Sequence, residues 1–195
     1  MTGAGNGSTA RTRTVYPDRS LLPREAVRLA ALGLLAGAPM SYGALAEEVR
    51  HFASRVAGPS LELMGTSIEL LRHEGFVRHV DDASGPDAVL TLTDAGREEL
   101  YALLRSAVRA PLNDVNKLVL ALKFRFLHLL DPADRRTQVA MMVEACEVEL
   151  ARLVDLRARH ANAPGYLTSW LDHDIAEVRS RLDWLTQIHE TVGRA

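Results

Sequence analysis

The chain has 195 residues, of which 47% are apolar and 25% charged, so it has the composition of an ordinary globular protein with one or two packed domains. A formal net charge of −2 excludes a strongly basic protein that would attract nucleic acid along its whole surface. The single cysteine excludes an intramolecular disulfide, and no apolar run is long enough to span a membrane. Since the first residues lack an apolar signal segment, we predict a cytoplasmic protein with no membrane partner.

The first part of the chain, residues 1–20, is rich in Gly, Ser and Thr and poor in apolar residues. Because such a segment cannot bury enough apolar surface to fold, we predict a disordered arm. It contains Arg11, Arg13 and Arg19, which could contact DNA phosphates, as basic arms do. The alternative is an inert solvated tail.

Three short helices are predicted next. The first, Leu21–Ala36, is apolar nearly all round, which indicates a central buried helix. After a Gly/Pro break, Ser41 suits the N-cap of a second helix, Tyr42–Val56. A further Gly-Pro break precedes a third helix, Leu61–Glu74, with apolar residues at helical spacing. Three helices with tight breaks predict a helix-turn-helix in which the third helix is the recognition helix.

A hairpin and a fourth helix follow. Two extended runs, Phe76–Val80 and Val89–Leu92, flank a polar turn with the sequence SGPD, which is typical of a β-hairpin. Thr93 then suits the N-cap of a helix over Asp94–Arg109. Helix, hairpin and helix in this order predict a winged helix, with the hairpin as its wing.

Beyond residue 110 three more helical segments are predicted: Asp114–Leu130, Pro132–Arg159 and Tyr166–Val192, with Asp131 as a cap and Pro132 in the first turn of the second. The predicted fold is therefore mainly α with a small β-hairpin wing. An N-terminal winged helix-turn-helix over residues 21–110 precedes long antiparallel helices over residues 111–195. We expect the latter region to serve dimerisation and effector binding.

The last two predicted helices carry apolar side chains every three or four residues, close to a heptad seam. We predict a homodimer whose interface includes Val139, Met142, Cys146, Leu150, Leu153, Val178, Leu182 and Leu185. The alternative is that both helices pack against their own domain. In either case Cys146 is expected to be a buried structural thiol.

Five segments carry a recognisable family pattern: Leu32–Gly43 (LGLLAGAPMSYG), Leu71–Val77 (LRHEGFV), Leu92–Arg97 (LTDAGR), Leu122–Phe124 and Trp184–Leu185. With them the chain resembles the PadR family of transcriptional regulators over most of its length. The resemblance implies a homodimeric regulator, usually a repressor, with a winged helix at the N-terminus and dimerising helices at the C-terminus. It also implies a small aromatic or hydrophobic effector bound near the dimer axis.

The predicted partner of the winged helix is double-stranded operator DNA. Side chains on the groove side of the third helix can bond bases or meet a thymine methyl group, and nearby cations can contact phosphates. The candidate DNA-binding residues are Arg50, Arg55, Ser60, Leu63, Thr66, Ser67, Leu70, Arg78 and His79. The alternatives are a solvated surface, or a protein-contact surface marked by exposed Leu63 and Leu70.

Aromatic side chains can stack on a planar effector, so the C-terminal half also contains candidate effector residues. They are Trp184, Trp170, Phe124, Phe126 and His128, with Trp184 the preferred tryptophan because it lies on the last helix. The alternative is that these residues pack in the core or at the dimer interface.

Motifs for catalysis or metal binding are lacking in the sequence, since the seven histidines contain no i, i+4 pair and no phosphate loop or nucleophile elbow occurs. We therefore expect no metal, no cofactor and no enzymatic activity. The leading hypothesis is a dimeric repressor that releases its operator when it binds an effector. The alternative is a winged-helix dimer that binds protein or ligand without strong DNA binding, because Glu62, Glu69 and Glu74 make the recognition helix acidic.

Overall fold

The computed structural model describes residues 23–57, 64–80, 87–108 and 114–194, so the predicted arm over residues 1–20 lies outside the described residues. The elements in chain order are α1 (Pro23–Gly37), β1 (Met40–Ser41), α2 (Tyr42–Ala57), α3 (Met64–His73), β2 (Val77–His79), β3 (Val89–Leu92), α4 (Asp94–Arg105), α5 (Asp114–Phe126), a 3-10 turn (Leu127–Leu129), α6 (Pro132–Arg159) and α7 (Leu167–Arg194). The mainly helical fold with a small antiparallel wing is confirmed.

The sheet has one strand more than the sequence predicts. Its order is β1-β3-β2, with Met40 opposite Leu90 on one side of β3 and Val77 opposite Leu92 on the other. β1 contains only two residues, which is too short for a period-2 pattern to be visible in the sequence. It closes the outer edge of the hairpin and joins the wing to the loop before α2.

The predicted helix caps are confirmed. Ser41 Oγ accepts a hydrogen bond from Ala44 N at 3.3 Å, and Thr93 accepts from Gly96 N at 3.0 Å. Asp131 accepts from Asp134 N at 2.8 Å, before a proline in the first turn of α6. Each cap supplies a partner to a backbone N–H that lacks one inside the helix.

α1 is the buried centre of the winged helix, as predicted. Leu29 and Leu32 are inaccessible to solvent, and the same core contains Leu71 of α3 and Leu100 of α4. This core does not end at residue 110, because α5 contributes buried residues to it, with Leu122 and Phe126 among them. α5 therefore packs as a part of the winged-helix unit, although it follows the predicted domain boundary.

The close contact between α1 and α5 depends on a glycine. A Cβ atom at Gly33 would lie 2.6 Å from the ring of Phe126, which is far inside van der Waals contact. The missing side chain lets the phenylalanine ring lie directly on the α1 backbone. Because α5 packs on α1, the helices that extend beyond the winged-helix unit are α6 and α7.

α6 and α7, each 28 residues long, form an antiparallel hairpin. Their facing apolar residues form small cores along the hairpin, one with Cys146 and Leu185 and another with Leu153 and Leu171. Close to the connecting turn, Arg157 donates two hydrogen bonds to the carboxylate of Asp172, at 2.8 and 3.1 Å. The long antiparallel helices predicted for the C-terminal half are thus present as one hairpin.

Candidate nucleic-acid interface and its helical support

The recognition helix α3 ends in a Schellman motif that turns the chain into the wing. Phe76 N donates to Leu71 O at 2.9 Å, and Gly75 N donates to Arg72 O at 3.1 Å. Gly75 has a φ of +79°, in the left-handed region where a side chain would be strained. The motif fixes where α3 stops, and with it the direction in which β2 leaves the helix.

Thr93 joins the end of α3 to the start of α4. Besides capping α4, its hydroxyl donates to Gly75 O at 2.8 Å, and its backbone N–H donates to Phe76 O at 3.1 Å. α4 can approach so closely because residue 96 is glycine, where a Cβ would lie 2.0 Å from Phe76 O. The EGFV and LTDAG segments are therefore two halves of one structural joint that holds the recognition helix.

One glutamate, at the end of the recognition helix, forms an ion pair with an arginine of α1. Arg28 of α1 forms ion pairs with Glu74 at 2.6 Å and Glu99 at 3.1 Å, and its guanidinium lies 5.4 Å from the centre of the Phe76 ring. Because Glu74 is held toward α1, its charge is compensated there and contributes less to the field of the recognition helix. Sequence reasoning missed Arg28, because a cation in an apolar helix carries no signal for partners that are 46 and 71 residues away.

The predicted DNA-binding residues that the structure describes lie mainly on the surface. Arg50 and Arg55 are exposed on α2, Arg78 is exposed on β2, and the side chain of Leu70 on α3 is 50% exposed. His79 is half-buried, and its Nδ1 is buried without a hydrogen-bond partner, which makes it less available to a phosphate. Ser60, Leu63 and the side chains of Thr66 and Ser67 lie outside the described residues.

Two further polar residues belong to this surface. Arg72 and His73 are exposed in the last turn of α3, beside Leu70. Arg72 was visible in the sequence as a cation of the recognition helix, but its exposure could not be inferred before the end of α3 was known. Arg50 and Arg55 of α2 and Arg78 of β2 are exposed as well, and over the described residues of the same three elements the exposed carboxylates are Glu47 on α2 and Glu69 on α3.

Phe124 and Trp184 are brought together by the fold. Their ring centres are 4.9 Å apart with the planes tilted by 53°, and Trp184 remains 43% exposed. Partly buried apolar residues pack against the same small core, among them Val108 and Leu120. An aromatic pair with one open side is the kind of surface on which a planar apolar molecule can stack.

The other predicted effector residues lie elsewhere. Trp170 is 56% exposed and precedes Trp184 by 14 residues of α7, which corresponds to about 21 Å along the helix axis. Phe126 is buried in the winged-helix core against Gly33, and His128 is exposed on the 3-10 turn. The structure therefore does not group these three side chains with the Phe124–Trp184 pair.

Most of the predicted dimer contacts are occupied within the chain. The structure buries Val139, Met142, Cys146, Leu153, Val178 and Leu185 in the cores of its own subunit, and leaves Leu150 and Leu182 half-buried. A side chain with no exposed surface has none to offer to a second copy, so these residues do not form a free interface. This agrees with the alternative of packing within the chain. Exposed apolar side chains of α6 and α7 are Val148, Val154, Leu156, Leu167, Trp170 and Trp184.

Cys146 is buried between α6 and α7, as expected of a structural thiol. Burial raises the pKa of its thiol group, with a smaller opposing contribution from Arg181. A thiol with a raised pKa is a weak nucleophile at neutral pH, since the thiolate is the reactive form. Redox chemistry at this residue is therefore disfavoured.

A buried lysine stands where the winged-helix unit meets the hairpin. Lys123 of α5 is 1% exposed, and its Nζ donates to Leu104 O at 2.7 Å, Ser106 O at 2.6 Å and Gln138 Oε1 at 2.8 Å. Burial lowers its pKa to about 7. The sequence shows a lysine in the apolar run LVLALKFRFL, but nothing in that run names its acceptors.

No group of three or more His, Cys, Asp or Glu side chains in the described ranges is placed to hold a metal ion. In the same part of the chain, no helix combines the length and apolarity that crossing a membrane requires.

A winged helix whose recognition helix is held by α4, and whose last helices lead into a long helical hairpin, is an architecture typical of DNA-binding regulators. Consistent with it, the family model of AphA-like transcriptional regulators matches residues 16–189, and the chain belongs to this family. The prediction of a transcriptional regulator is thereby confirmed. The comparison with curated proteins gives no match.

Solved structures of PadR proteins are similar to the chain at low identity. Bacillus subtilis PadR in complex with p-coumaric acid is 18% identical, with a TM-score of 0.38 over 86% of this chain and 98% of that one. The same protein in complex with operator DNA is 18% identical, with a TM-score of 0.35 over 85% and 98%. The PadR-like regulator BC1756 from Bacillus cereus is 19% identical, with a TM-score of 0.37 over 85% and 97%.

Proposed function

We propose that the protein is a dimeric repressor that binds a pseudo-palindromic operator through α3 and the wing, and releases it when a small aromatic or hydrophobic effector binds. The observation that carries the proposal is the charge around α3. Arg50, Arg55, Arg72 and Arg78 are exposed there, while Glu74 is paired with Arg28. Cations that neutralise phosphates supply much of the affinity for DNA, so this arrangement supports a DNA contact that the glutamates of the sequence argued against.

The exposed apolar side chains of the hairpin support dimerisation. Val148 on α6 and Leu167 and Trp170 on α7 are side chains that the chain's own fold leaves uncovered. Large exposed apolar groups are typical of protein contacts. We infer that a second copy covers these side chains rather than the residues of the heptad seam, which are already buried. Light scattering at micromolar concentration tests this inference, and a monomer there would contradict it.

A gel shift with the DNA upstream of the protein's own gene, at two salt concentrations, tests DNA binding. We expect a sequence-selective shift that weakens at the higher salt concentration. Changing Arg72 or Arg78 to Ala should weaken binding and lower the slope of log K against log salt by about 1 for each lost phosphate contact. Arg136→Ala, an exposed arginine on α6, is the matched control and should leave the slope unchanged.

A protein-interaction module is the second candidate function, and the exposed Leu70 on α3 favours it. An exposed apolar side chain in the last turn of the recognition helix suits a protein surface as well as a thymine methyl group. If the dimeric protein gives no selective shift even at low salt, the repressor proposal fails and this candidate takes its place.

The Phe124–Trp184 pair is the proposed effector site. The chain has two tryptophans, so a Trp170→Phe variant reports on Trp184 alone. We expect small planar aromatic acids, with p-coumaric acid as the first probe, to quench this fluorescence and to weaken the gel shift. Phe124→Leu should reduce both effects, because it removes the ring against which the ligand would lie. Quenching without any change in DNA binding would separate ligand binding from regulation and contradict the effector role.

A further inference from the structure

The end of α4 is capped by side chains of other helices. An α-helix leaves its last four carbonyl groups without partners inside the helix. Here Leu104 O accepts a hydrogen bond from Lys123 Nζ of α5, and Arg105 O accepts one from Gln138 Nε2 of α6 at 2.9 Å. Ser106 O, just past the helix, is the second carbonyl acceptor of Lys123. The last helix of the winged helix is therefore held directly by the two helices that follow it.

These hydrogen bonds join two bodies of the molecule. We call residues 23–130, which include the winged helix and α5, the reading head, because α5 is packed into its core. The hairpin begins at α6. Gln138 and Asp134 lie on the hairpin side of the joint, where Gln138 bonds Lys123 and Asp134 forms an ion pair with Arg105. Polar contacts thus link the reading head to the first two turns of α6, beside an apolar contact made by Val139 of α6, which is buried in the core of the reading head.

The chemistry of Lys123 matches this position. Its ammonium group has three N–H donors, and three acceptor oxygens converge on it at 2.6–2.8 Å. The planar guanidinium of an arginine has a different donor geometry and would not match these three acceptors in the same way. Lysine is also rare in this chain, where it occupies two of the 23 Lys and Arg positions. In its charged form, with all three protons used, the buried group tolerates little displacement of its partners, because each lost partner leaves a buried polar group unsatisfied.

We propose that Lys123, together with Gln138, is a positioning residue that fixes the angle between the reading head and the α6–α7 hairpin. In a dimer held by the hairpins, this angle sets the separation of the two reading heads, a step that rests on the proposed function. The next residue, Phe124, contacts Trp184 of the hairpin. A ligand at that aromatic pair would therefore act on the same turn of α5 that holds the joint.

Two variants test separately the contacts of Lys123 with the hairpin and its contacts with the reading head. Gln138→Met removes the hydrogen bonds of Gln138 to Lys123 and to Arg105 O, but leaves Lys123 with its carbonyl acceptors Leu104 and Ser106 in the reading head and keeps the Arg105–Asp134 ion pair. Lys123→Met removes all three hydrogen bonds while keeping an apolar stem. Lys117→Met, on the exposed side of the same helix, is the matched control. If Lys123→Met does not fold, Gln138→Met still tests the proposal.

The angle is measured without DNA by the distance between spin labels at Glu98→Cys on α4 and Ala161→Cys beyond the end of α6, in a Cys146→Ala background. Labelled chains are diluted with unlabelled ones so that only distances within one chain are recorded. We expect a narrow distribution in the parent and in Lys117→Met, and one at least about twofold broader in Gln138→Met and Lys123→Met. Equally narrow distributions in all folded variants would overturn the proposal.

The functional measurement is how strongly DNA binding depends on the spacing between the two operator half-sites. Half-sites are read at a fixed separation, so a rigid joint should make binding sensitive to inserted base pairs. We expect an insertion of about two base pairs between the half-sites to weaken binding by the parent about tenfold, and by Gln138→Met less than about threefold. Equal sensitivity in both would refute the link to spacing. No binding by the parent at any spacing would refute the proposed function and leave the distance measurement to decide the role of Lys123.

Discussion

Raising the pH from 6 to 9 should stabilise the protein through Lys123. Burial lowers the pKa of this lysine to about 7, against 10.5 for a lysine in water. Between these two values the unfolded chain binds more protons than the folded chain, so the free energy of unfolding rises with pH. Below pH 7 Lys123 is protonated in both the folded and the unfolded chain, so its contribution to the free energy of unfolding no longer changes with pH.

The magnitude follows from the separation of the two pKa values. Each pH unit well inside the window contributes about 1.4 kcal/mol, and from pH 6 to pH 9 the lysine should contribute about 2–3 kcal/mol. Hydrogen bonds from Nζ to its three acceptors favour the charged form and oppose this effect. The ion pair between Arg105 and Asp134 is part of the same joint and remains in the variant, so its contribution cancels in the comparison.

The assay compares urea unfolding of the parent, Lys123→Met and Lys117→Met at pH 6, 7, 8 and 9. As the pH rises, the free energy of unfolding of the parent should increase relative to that of Lys123→Met. The free energy of unfolding of Lys117→Met should show the same dependence on pH as that of the parent. Since the chain contains two lysines, selective 13C labelling gives two ε-carbon signals and allows a direct titration of Lys123. Titration of Lys123 near 10.5, together with a pH-independent difference, would refute the reasoning, because the hydrogen bonds would then outweigh the effect of burial.

Two further predictions concern the support of the recognition helix. Gly96→Ala should destabilise the protein by more than about 2 kcal/mol in thermal or urea unfolding, because its Cβ would lie 2.0 Å from Phe76 O. The control Gly37→Ala has open space around its Cβ and should be neutral or slightly stabilising. Equal effects of the two substitutions would contradict the close approach of α4. Arg28→Ala should cost about 1 kcal/mol of stability and weaken DNA binding in a gel shift, because it releases the charge of Glu74. Adding Glu74→Gln should restore the binding, and a double variant as weak as the single one would show that Glu74 does not act through its charge.

Local features made most of the fold predictable. Helix periodicity and the capping residues Ser41, Thr93 and Asp131 depend on neighbours within a few residues, and the structure confirms them. The bounds of α6 were predicted as they are found, because both ends carry clear signals. β1 was missed because two residues show no period. The partners of Arg28 and Lys123 were missed because they depend on contacts between distant parts of the chain.

The candidate site was only partly predictable for the same reason. Periodicity showed which residues of α6 and α7 share an apolar face, but not whether that face meets the other helix of the same chain or a second copy. The structure places Cys146 and Leu185 against each other within one hairpin, which leaves other apolar residues for a partner. Likewise, a count of glutamates in the recognition helix could not show that Glu74 is paired with Arg28.

The sequence alone determined the order of the helices, the β2–β3 hairpin and the winged helix, since these follow from short-range patterns of apolar residues, caps and turns. Tertiary structure decided which charged side chains are exposed, which apolar face is already covered, and how the reading head is held to the hairpin. These properties depend on contacts such as Arg28–Glu74 and Lys123–Gln138, and a linear pattern does not specify which partners the folded chain brings within hydrogen-bonding distance.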